Sequence, residues 1–464
     1  MDNYTVIILG ATGDLTKRKL LPSLHALLSK SGSKVLIVGA ARGDAMVHAL
    51  LDDAAPFIQK KDDAAWEQLR SSFHYQQLDF TVAKDYVALE KFVCQLEKKY
   101  NMSGKRLIYL ATAAHFFCTI TENLSISGLA KRVEEKDSIW NRIAYEKPFG
   151  HDLKSAHEIN ECIKKYFYEY QIYRVDHYLN KEVVANIALL RFTNIFFEPL
   201  WNHRYIDNVQ IILNEKIGVE SRGGYYDSYG AVADVVQNHM LELLALVAME
   251  SPAKLTGDAI RTERAKVLEK VSVVEGFLGQ YKGYTQEKDV PVDSTTETFA
   301  AFRFAIDNRR WTGVPFYLKT GKKLKKKETV IHIRFKHVDC LLSKDCPSEP
   351  NYLTIRITPD ATFTLTLNTK KIDKTNEVSP VKMEFCHSCH FGDVTPTAYE
   401  TLFEEIVRGE LSTSVRFDEI EYAWKIIDNV REMKLPLHLY EVGSLGPKAA
   451  LQDFSNKHGI RWRE

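Results

Sequence analysis

The sequence predicts an α/β domain followed by a larger β+α domain whose sheet is mostly antiparallel. Strand-like and helix-like segments alternate over the first 150 residues, which is typical of a parallel sheet covered by helices on both faces. After residue 200 the strand-like runs follow one another directly, which is typical of an antiparallel sheet. The boundary is placed just before the segment RVDHYLNKE, and it gives domains of residues 1–173 and 174–464.

Short apolar, β-branched runs predict the strands of both domains. Those of the first domain are YTVIILG (4–10), KVLIVGA (34–40), FHYQQLDF (73–80), RLIYLAT (106–112) and NRIAYEKP (141–148). Apolar residues at helical spacing mark KLLPSLHALLSK and KDYVALEKFVCQLEKKY as helices between them. The strands of the second domain are NVQIILNEKI, TFAAFRFAI, VIHIRFKHV, YLTIRIT and ATFTLTLNTK.

Composition and charge exclude several classes of protein. The 464 residues are 45% hydrophobic and 27% charged, which is ordinary globular composition and enough for two or three domains. Lys and Arg number 62 against 61 Asp and Glu, so a net charge of +1 predicts neither a nucleic-acid nor a membrane partner. MDNYTVIILG lacks the basic residues of a signal peptide, and seven scattered cysteines suit a reducing compartment. We therefore expect a cytoplasmic protein.

A glycine-rich turn follows the first predicted strand in GATGDLTKRK. Gly10 and Gly13 would let backbone N–H groups and a helix N-terminus approach the pyrophosphate of a dinucleotide. The third small position of the usual pattern is Thr16 here. A tight turn without a ligand is the alternative, but the position at the first βα junction favours coenzyme binding.

The end of the second strand indicates which coenzyme is bound. VGAARGDA has no acidic residue at the strand end, where one would bind the ribose 2′-hydroxyl of NAD, and it carries Arg42 instead. A guanidinium matches the oxygens of a 2′-phosphate, so NADP is expected, with NAD as a weaker alternative. A solvated surface arginine is the other interpretation.

Five motifs in order along the chain resemble one family, glucose-6-phosphate dehydrogenase. They are GATGDLTKRK, YEKPFG, RVDHYLNKE, VVQNHM and RWTGVPFYLKTGKKL, and the similarity runs from residue 4 to about residue 447. The resemblance implies a Rossmann-like coenzyme domain and a β+α domain whose sheet forms a dimer interface, in a homodimer or a dimer of dimers. It implies oxidation of glucose 6-phosphate at C1 to 6-phosphogluconolactone with NADP, the entry step of the oxidative pentose phosphate pathway.

The resemblance also assigns roles to the ionisable residues. His239 would be the base that takes the C1 hydroxyl proton, and Asp176 would steady the imidazolium that forms. His177, Tyr178 and Lys181 would hold the 6-phosphate, since a dianion requires several donors. Thr358 replaces a glutamine that some members carry near the substrate.

Further site residues follow from the same resemblance. Lys147 would lie between coenzyme and sugar, and Glu215 and Asp234 would bind sugar hydroxyls. The predicted coenzyme contacts are Gly10, Thr12, Gly13, Asp14, Leu15, Arg42 and Lys147. Without the resemblance, His239 would be interpreted as a core histidine on an apolar helix face, and Asp234 or Glu215 could be a surface carboxylate. Asp234 and His239 are five residues apart, roughly 140° around an α-helix, which does not place them in one pocket.

Two segments allow other interpretations. KTGKKLKKKE could be a solvated basic loop, whereas the family implies that Lys322 and Lys327 reach the substrate. CHSCH at 386–390 matches a haem-attachment pattern. A half-buried strand would place Met383, Phe385, His387, Cys389 and Phe391 on one face and Cys386 on the other, which suits neither haem nor a metal. A non-catalytic dinucleotide-binding sensor protein is the alternative to an enzyme.

Overall fold

The computed structural model describes residues 3–30, 32–338, 349–372, 377–386, 389, 392 and 396–463. Their contacts form two compact units. The first unit contains Met1–Asn180, Lys254–Arg261 and Pro396–Glu421, and the second contains Lys181–Ala253, Thr262–Thr395 and Tyr422–Glu464. The units thus change after Asn180 rather than after residue 173, and two later segments return to the first unit. Periodicity along a chain does not reveal such a return, because it reports only local structure.

The first unit contains a parallel sheet of six strands in the order β3-β2-β1-β4-β5-β6. The order reverses between β1 and β4, so the crevice of a doubly wound fold lies beyond the carboxyl end of β1. All five predicted strands are confirmed, and β6 is additional. The bounds are β1 Asn3–Leu9, β2 Lys34–Ala41, β3 Phe73–Gln77, β4 Arg106–Leu110, β5 Asn141–Glu146 and β6 Ile172–Val175.

The second unit contains a sheet of nine strands in the order β14-β13-β12-β11-β7-β10-β9-β8-β15. The pairs β7–β10 and β8–β15 are parallel and the other six are antiparallel, so the predicted mostly antiparallel sheet is confirmed. The bounds are β7 Ile206–Asn214, β8 Val271–Tyr281, β9 Phe299–Ile306, β10 Phe316–Gly321, β11 Glu328–Phe335, β12 Tyr352–Thr358, β13 Thr362–Lys370, β14 Val378–Cys386 and β15 Leu437–Tyr440.

The α-helices of the described residues are α1 Leu21–Lys30, α2 Val47–Ala54, α3 Asp63–Ser72, α4 Ala83–Lys99, α5 Phe117–Ile126, α6 Leu153–Tyr166, α7 Glu182–Thr193, α8 Gly223–Asp227, α9 Leu241–Ala248, α10 Gly257–Glu269, α11 Ala398–Arg408, α12 Phe417–Glu432 and α13 Lys448–His458. The two helical segments predicted in the first domain are confirmed as α1 and α4. Among the described residues, no single helix is long and apolar enough to cross a membrane, although the bent pair Glu220–Asp227 and Val232–Ala248 passes that test by length and composition.

Helix α11 explains why a late segment belongs to the first unit. Tyr399, Leu402 and Phe403 on α11 are buried in the same apolar cluster as Leu24 of α1 and Tyr109 of β4. Burial of such side chains contributes roughly 1.5–3 kcal/mol each, which is enough to hold a helix far along the chain against this sheet.

The scattered cysteines suited a reducing compartment, but the described residues contain disulfide bonds. Cys118 of α5 is bonded to Cys162 of α6, and Cys386 is bonded to Cys389. Strand β14 ends at Cys386, so the alternation predicted for 383–391 stops there, and most of β14 is exposed rather than half-buried. Cys340, Cys346, His387 and Phe391 lie outside the described residues.

Candidate active site

The turn after β1 requires glycine at position 10. Gly10 has φ +98°, and a Cβ there would lie inside van der Waals contact with the Ala111 carbonyl oxygen. The Gly10 N–H donates to the Ala40 carbonyl at 2.8 Å, which ties the turn to the end of β2. Residue 10 therefore brings the backbone of β1, β2 and β4 close together at the carboxyl edge of the sheet.

Thr16 closes this turn, which explains a hydroxyl at the position where the usual pattern has a small residue. Its Oγ1 donates to the Gly10 carbonyl at 3.1 Å, and the Gly13 N–H donates to the same oxygen at 3.0 Å. Thr16 is fully buried and begins the π-helical turn Thr16–Leu20 that leads into α1. The departure in sequence is thus a different way to build the same turn.

A cavity of about 590 Å³ lies beside this turn in the first unit. Its lining includes four of the predicted coenzyme residues and two phenylalanine rings, Phe80 and Phe116, that no sequence pattern indicated. The lining residues are Gly10, Thr12, Gly13, Ala41, Arg42, Gly43, Phe80, Ala111, Thr112, Ala113, His115 and Phe116. Phe80 and Phe116 meet edge to face with centroids 5.6 Å apart, so the cavity combines backbone donors with an aromatic wall.

Three predicted coenzyme residues, Asp14, Leu15 and Lys147, are absent from this lining. Asp14 is exposed and pairs with Arg18 at 2.6 Å. Leu15 packs against the apolar cluster of the first unit. The structure therefore places the glycines, Thr12 and Arg42 at the cavity, and it places the Asp14 and Leu15 side chains elsewhere.

Arg42 follows β2 and lines the cavity. The Gln77 side chain donates to its carbonyl at 2.7 Å, which fixes the backbone at this strand end. Hydrogen bonds from Thr81 lower the pKa of Asp79, and the positive charge of Arg42 adds to this shift. Among the described residues that line the cavity, none carries a carboxylate.

The segment RVDHYLNKE divides its ionisable residues between different tasks. Arg174, at the end of β6, is buried and binds Glu169 at 2.7 Å and Asn160 at 3.0 Å, so it stabilises the fold. Asp176 is 3% exposed, and its Oδ1 accepts the Tyr178 N–H at 2.9 Å, which forms the turn after β6. A buried carboxylate is thereby held on a rigid strand end.

His177 and Tyr178 are half-buried, with ring centroids 4.9 Å apart. The His177 ring also stacks on Tyr399 of α11, with an interplanar angle of 11° and a centroid distance of 6.2 Å. Both contacts belong to the first unit. No sequence pattern indicated Tyr399 as a site residue, because it lies more than 200 residues from His177 in an amphipathic helix.

Lys181 opens the second unit, and its Nζ donates to Thr358 Oγ1 at 3.0 Å. The neighbouring Asn180 binds Thr413 at 2.6 Å and Glu405 at 2.9 Å within the first unit. Thr358, which replaces a glutamine of some family members, thus contacts Lys181, one of the predicted phosphate ligands.

Glu146 ends β5 immediately before Lys147. Its Oε1 accepts hydrogen bonds from the hydroxyls of Tyr109 and of Tyr399, the latter at 3.2 Å. Burial raises the pKa of Glu146 to about 7, opposed by the two tyrosine hydrogen bonds and the charge of Lys147, while Asp176 adds to the rise. Lys147 itself is half-buried.

In the second unit, Lys322 is 9% exposed and forms an ion pair with Glu215. The Lys322 ammonium lies 4.8 Å from the centre of the buried Tyr226 ring. The Leu324 N–H donates to the Glu215 carbonyl at 2.9 Å, which holds the two segments in register. Two residues predicted to bind sugar therefore contact each other, and Tyr226 is a third member that the sequence did not indicate.

The segment that contains Asp234 and His239 is a π-helix, Val232–Met240, not an α-helix. Hydrogen bonds at i→i+5 widen each turn, so residues five apart lie nearer to one face than the 140° expected for an α-helix. His239 is 3% exposed, and its backbone N–H donates to Asn238 Oδ1 at 2.8 Å. Burial raises the pKa of Tyr225, and the negative charge of Asp234 adds to that rise.

Lys327 has an exposed side chain. Its neighbours Lys323 and Lys326 pair with Glu287 at 2.6 Å and Glu328 at 2.8 Å. Of Lys322, Lys323, Lys326 and Lys327 only Lys322 is buried, and Lys319 at the start of the run is buried as well. Sequence alone could not make this distinction, because adjacent lysines share the same local composition.

Comparison with known proteins identifies the family. The model of the glucose-6-phosphate dehydrogenase NAD binding domain matches residues 7–186, and that of the C-terminal domain matches residues 188–463. The chain is 40% identical to glucose-6-phosphate 1-dehydrogenase of Bacillus subtilis, covering 98% of this chain and 97% of that protein. It is 37% identical to the enzyme of Chlamydia pneumoniae, covering 99% and 95%.

Solved structures agree with these sequences. A glucose-6-phosphate dehydrogenase in complex with its substrate glucose 6-phosphate has a TM-score of 0.90 and 33% identity, and covers 100% of this chain and 99% of that chain. Glucose-6-phosphate 1-dehydrogenase from Mycobacterium avium has a TM-score of 0.86 and 35% identity, and covers 100% and 98%. The matched domain models, the full-length identities and the shared fold together show that this chain belongs to the glucose-6-phosphate dehydrogenase family of oxidoreductases.

Proposed function

We propose that this enzyme oxidises glucose 6-phosphate at C1 to 6-phosphogluconolactone with NADP, the entry step of the oxidative pentose phosphate pathway. The single observation that supports the proposal best is full-length similarity to curated glucose-6-phosphate 1-dehydrogenases. A dinucleotide suits the cavity of the first unit, because Gly10 permits the tight turn that lines it, where a Cβ would clash with the Ala111 carbonyl.

The proposed chemistry separates a proton from a hydride. When bound, NADP supplies the hydride acceptor, the nicotinamide ring. His239 takes the proton of the C1 hydroxyl, and burial of its imidazole keeps water from competing for that task. Asp176 stabilises the imidazolium that results, as a buried carboxylate does for a catalytic histidine.

The substrate is held at its two ends. His177, Tyr178 and Lys181 donate to the 6-phosphate, because a dianion requires several donors. Glu215, Asp234 and Lys322 bind the sugar hydroxyls, for which the Lys322–Glu215 ion pair supplies both a donor and an acceptor. Lys147 lies between coenzyme and sugar. For Lys327 the exposed side chain gives the weakest support, and its substrate contact stays a prediction.

NADP is proposed over NAD because Arg42 lines the coenzyme cavity. A guanidinium there would bind the 2′-phosphate with charge-assisted hydrogen bonds. A carboxylate at this position would instead select the 2′-hydroxyl of NAD.

We further propose that the enzyme forms a homodimer, or a dimer of dimers, through the nine-stranded sheet. Its edge strand β14 exposes Val381, Met383 and Phe385 at alternate positions, which gives one face of that strand an apolar row. Sedimentation equilibrium measures the stoichiometry. The cytoplasmic location expected from the sequence stays a prediction.

The test is steady-state kinetics on two sugars, followed at the reduced-nicotinamide absorbance band. Wild-type enzyme with NADP should turn over glucose 6-phosphate far better than free glucose, which has the reacting hydroxyl but no phosphate. Coenzyme binding without turnover of either sugar would instead support the non-catalytic sensor protein.

Two histidine variants separate the proposed roles. His239→Asn should lower kcat by roughly 100- to 10,000-fold with both sugars, because the general base acts in the transition state. His177→Asn should mainly raise KM for glucose 6-phosphate, by roughly 10- to 100-fold for one charge-assisted bond, and should change kinetics with glucose far less. A His239→Asn enzyme with near-normal kcat would leave the mechanism without its base.

A further inference from the structure

A buried hydrogen-bonded cluster lies next to the phosphate-binding residues of the first unit. Glu146 of β5 accepts from two tyrosine hydroxyls, Tyr109 of the adjacent strand β4 and Tyr399 of α11. Tyr109 is fully buried and Tyr399 is 8% exposed. The cluster therefore fixes the Tyr399 hydroxyl from the sheet side, at a site that the proposed mechanism does not use.

The aromatic ring of Tyr399 contacts His177. The two rings are nearly parallel, with an interplanar angle of 11° and centroids 6.2 Å apart, within the range of offset stacking. Tyr399 thus connects a carboxylate on the sheet to the imidazole that is assigned to the 6-phosphate. The chain of contacts runs from Glu146 through Tyr399 to His177.

Helix α11 holds Tyr399 rigidly at its first turn. Thr397 caps the helix by accepting the Glu400 N–H at 3.3 Å, and Glu400 in turn binds Lys30 of α1 at 2.7 Å. At the other end, Arg142 donates to the carbonyls of Ile406 and Val407 at 2.6 Å each. A ring carried by a helix fixed at both ends can orient a neighbouring side chain.

We propose that Tyr399 is a positioning residue for phosphate binding, and that its hydroxyl, anchored on Glu146, sets the plane of the His177 imidazole. This inference rests on the proposed role of His177. An imidazole that donates to a phosphate oxygen must present its N–H in a narrow range of directions, since hydrogen bonds weaken steeply when misaligned. Stacking on a fixed ring limits rotation of His177 before the substrate arrives.

The charges around the cluster are compatible with this role. Lys147 and Asp176 act on Glu146 electrostatically, and Asp176 also acts on Tyr399. Burial raises the pKa of Tyr399, with further contributions from Glu146 and Asp176, so its hydroxyl keeps its proton and remains a donor at neutral pH. The anchor is therefore present over the working range of the enzyme.

Tyr399→Phe is the central test, because it retains the ring and removes only the anchored hydroxyl. It should raise KM for glucose 6-phosphate by roughly 3- to 10-fold, as expected when one orienting hydrogen bond is lost, and leave kcat and the kinetics with free glucose near wild type. Tyr145→Phe is the matched control, since it removes a buried hydroxyl bonded to Thr121 at 2.8 Å. Equal losses on both sugars, or an unchanged KM, would refute the positioning role.

A double variant distinguishes positioning from general damage. If Tyr399 acts through His177, Tyr399→Phe should have no further effect on sugar preference in a His177→Asn background. An effect that persists in that background would overturn the proposal. Glu146→Gln, which keeps an acceptor oxygen for the tyrosine, should be milder than Tyr399→Phe, and a larger phosphate-specific loss would contradict the anchor.

Failure of this inference can be told from failure of the proposed function. A wild-type enzyme that does not turn over glucose 6-phosphate would refute the function. Normal wild-type turnover with a phosphate-specific loss in His177→Asn, but none in Tyr399→Phe, would refute only the positioning role. Circular dichroism and thermal unfolding of every variant identify any that fails to fold.

Discussion

At the scale of single residues, Gly10 shows how a coenzyme turn depends on a missing side chain. Any substitution of Gly10 should lower stability for two separate reasons, the strain of a φ of +98° and a clash with Ala111. Gly10→Ala should lower the free energy of unfolding by roughly 1–3 kcal/mol and weaken NADP binding, because the backbone must move away from the coenzyme. Thermal unfolding and coenzyme titration measure the two effects.

The matched control for this prediction is Gly313→Ala. Gly313 also has a positive φ, +83°, but a Cβ there would meet nothing within 4 Å. The control variant carries the backbone strain without the crowding, so it should lose less stability and no coenzyme affinity. Equal behaviour of the two variants would show that crowding at Ala111 has no consequence.

Arg42 is the residue that should set coenzyme preference. Arg42→Ala removes a charge-assisted contact with the 2′-phosphate and should cost about 1.5 to 3 kcal/mol, roughly 10- to 150-fold in NADP affinity. NAD affinity should hardly change, because NAD has no 2′-phosphate. Arg70→Ala, at an exposed position on α3, controls for the loss of one positive charge. Equal weakening of both coenzymes by Arg42→Ala would disprove the assignment.

At the scale of elements, the π-helix Val232–Met240 carries the proposed base. The Asn238 side chain makes two hydrogen bonds within this helix. Its Nδ2 donates to the Ala233 carbonyl at 3.2 Å, and its Oδ1 accepts the backbone N–H of His239 at 2.8 Å. Extra-wide turns of this kind are frequent at functional sites, since they redirect side chains that an α-helix would separate.

Asn238→Ala should therefore impair catalysis more than binding. Loss of the hydrogen bonds that hold the turn should lower kcat by roughly 10-fold, the effect of about one hydrogen bond, with a small change in KM. Asn238→Asp keeps the acceptor oxygen for His239 and should retain more activity. Steady-state kinetics provide the measurement, and a change confined to KM would show that the turn does not position the base.

At the scale of the whole molecule, stability should depend on pH through buried His332 of β11. Burial, with added effects of Arg463, Arg356 and Lys326, lowers its pKa to about 3 from 6.5. The unfolded chain therefore binds a proton between pH 6.5 and 3 that the folded chain does not. The contribution of His332 is complete above pH 6.5 and is lost as the pH falls toward 3.

Comparison with His332→Gln isolates this contribution. Between pH 7.5 and 5, wild-type protein should lose about 2 kcal/mol more stability than the variant, since 1.5 pH units below 6.5 correspond to that free energy. Glu146 and Glu297, whose pKa values burial raises to about 7 and about 6, act in the opposite direction and cancel in the comparison. Denaturant midpoints at the two pH values are the measurement, and parallel curves would contradict the prediction.

The amino-acid sequence by itself determined which elements form and which family the chain resembles. Apolar runs with period 2 or 3.6 are local signals, so the strands from β1 to β5 and most strands of the second sheet could be predicted within a few residues. Motif residues such as Asp176 and His239 could be assigned roles because their spacing in the chain carries the resemblance. Strands β6, β8, β10 and β15 were missed: β6, β10 and β15 have only four to six residues, and β8, although 11 residues long, lacks a regular alternation of buried and exposed residues.

Tertiary structure alone decided which distant residues support the site. Tyr399 reaches Glu146 and His177 only because α11 returns to the first sheet, and nothing in its local sequence distinguishes it from a core tyrosine. The π-helix around His239 contains local side-chain bonds of Asn238, which apolar periodicity does not record. Lys322 differs from the exposed Lys327 only by burial beside Glu215. Contacts between residues far apart in the chain depend on packing, and packing is a property of the folded molecule, not of any short stretch of sequence.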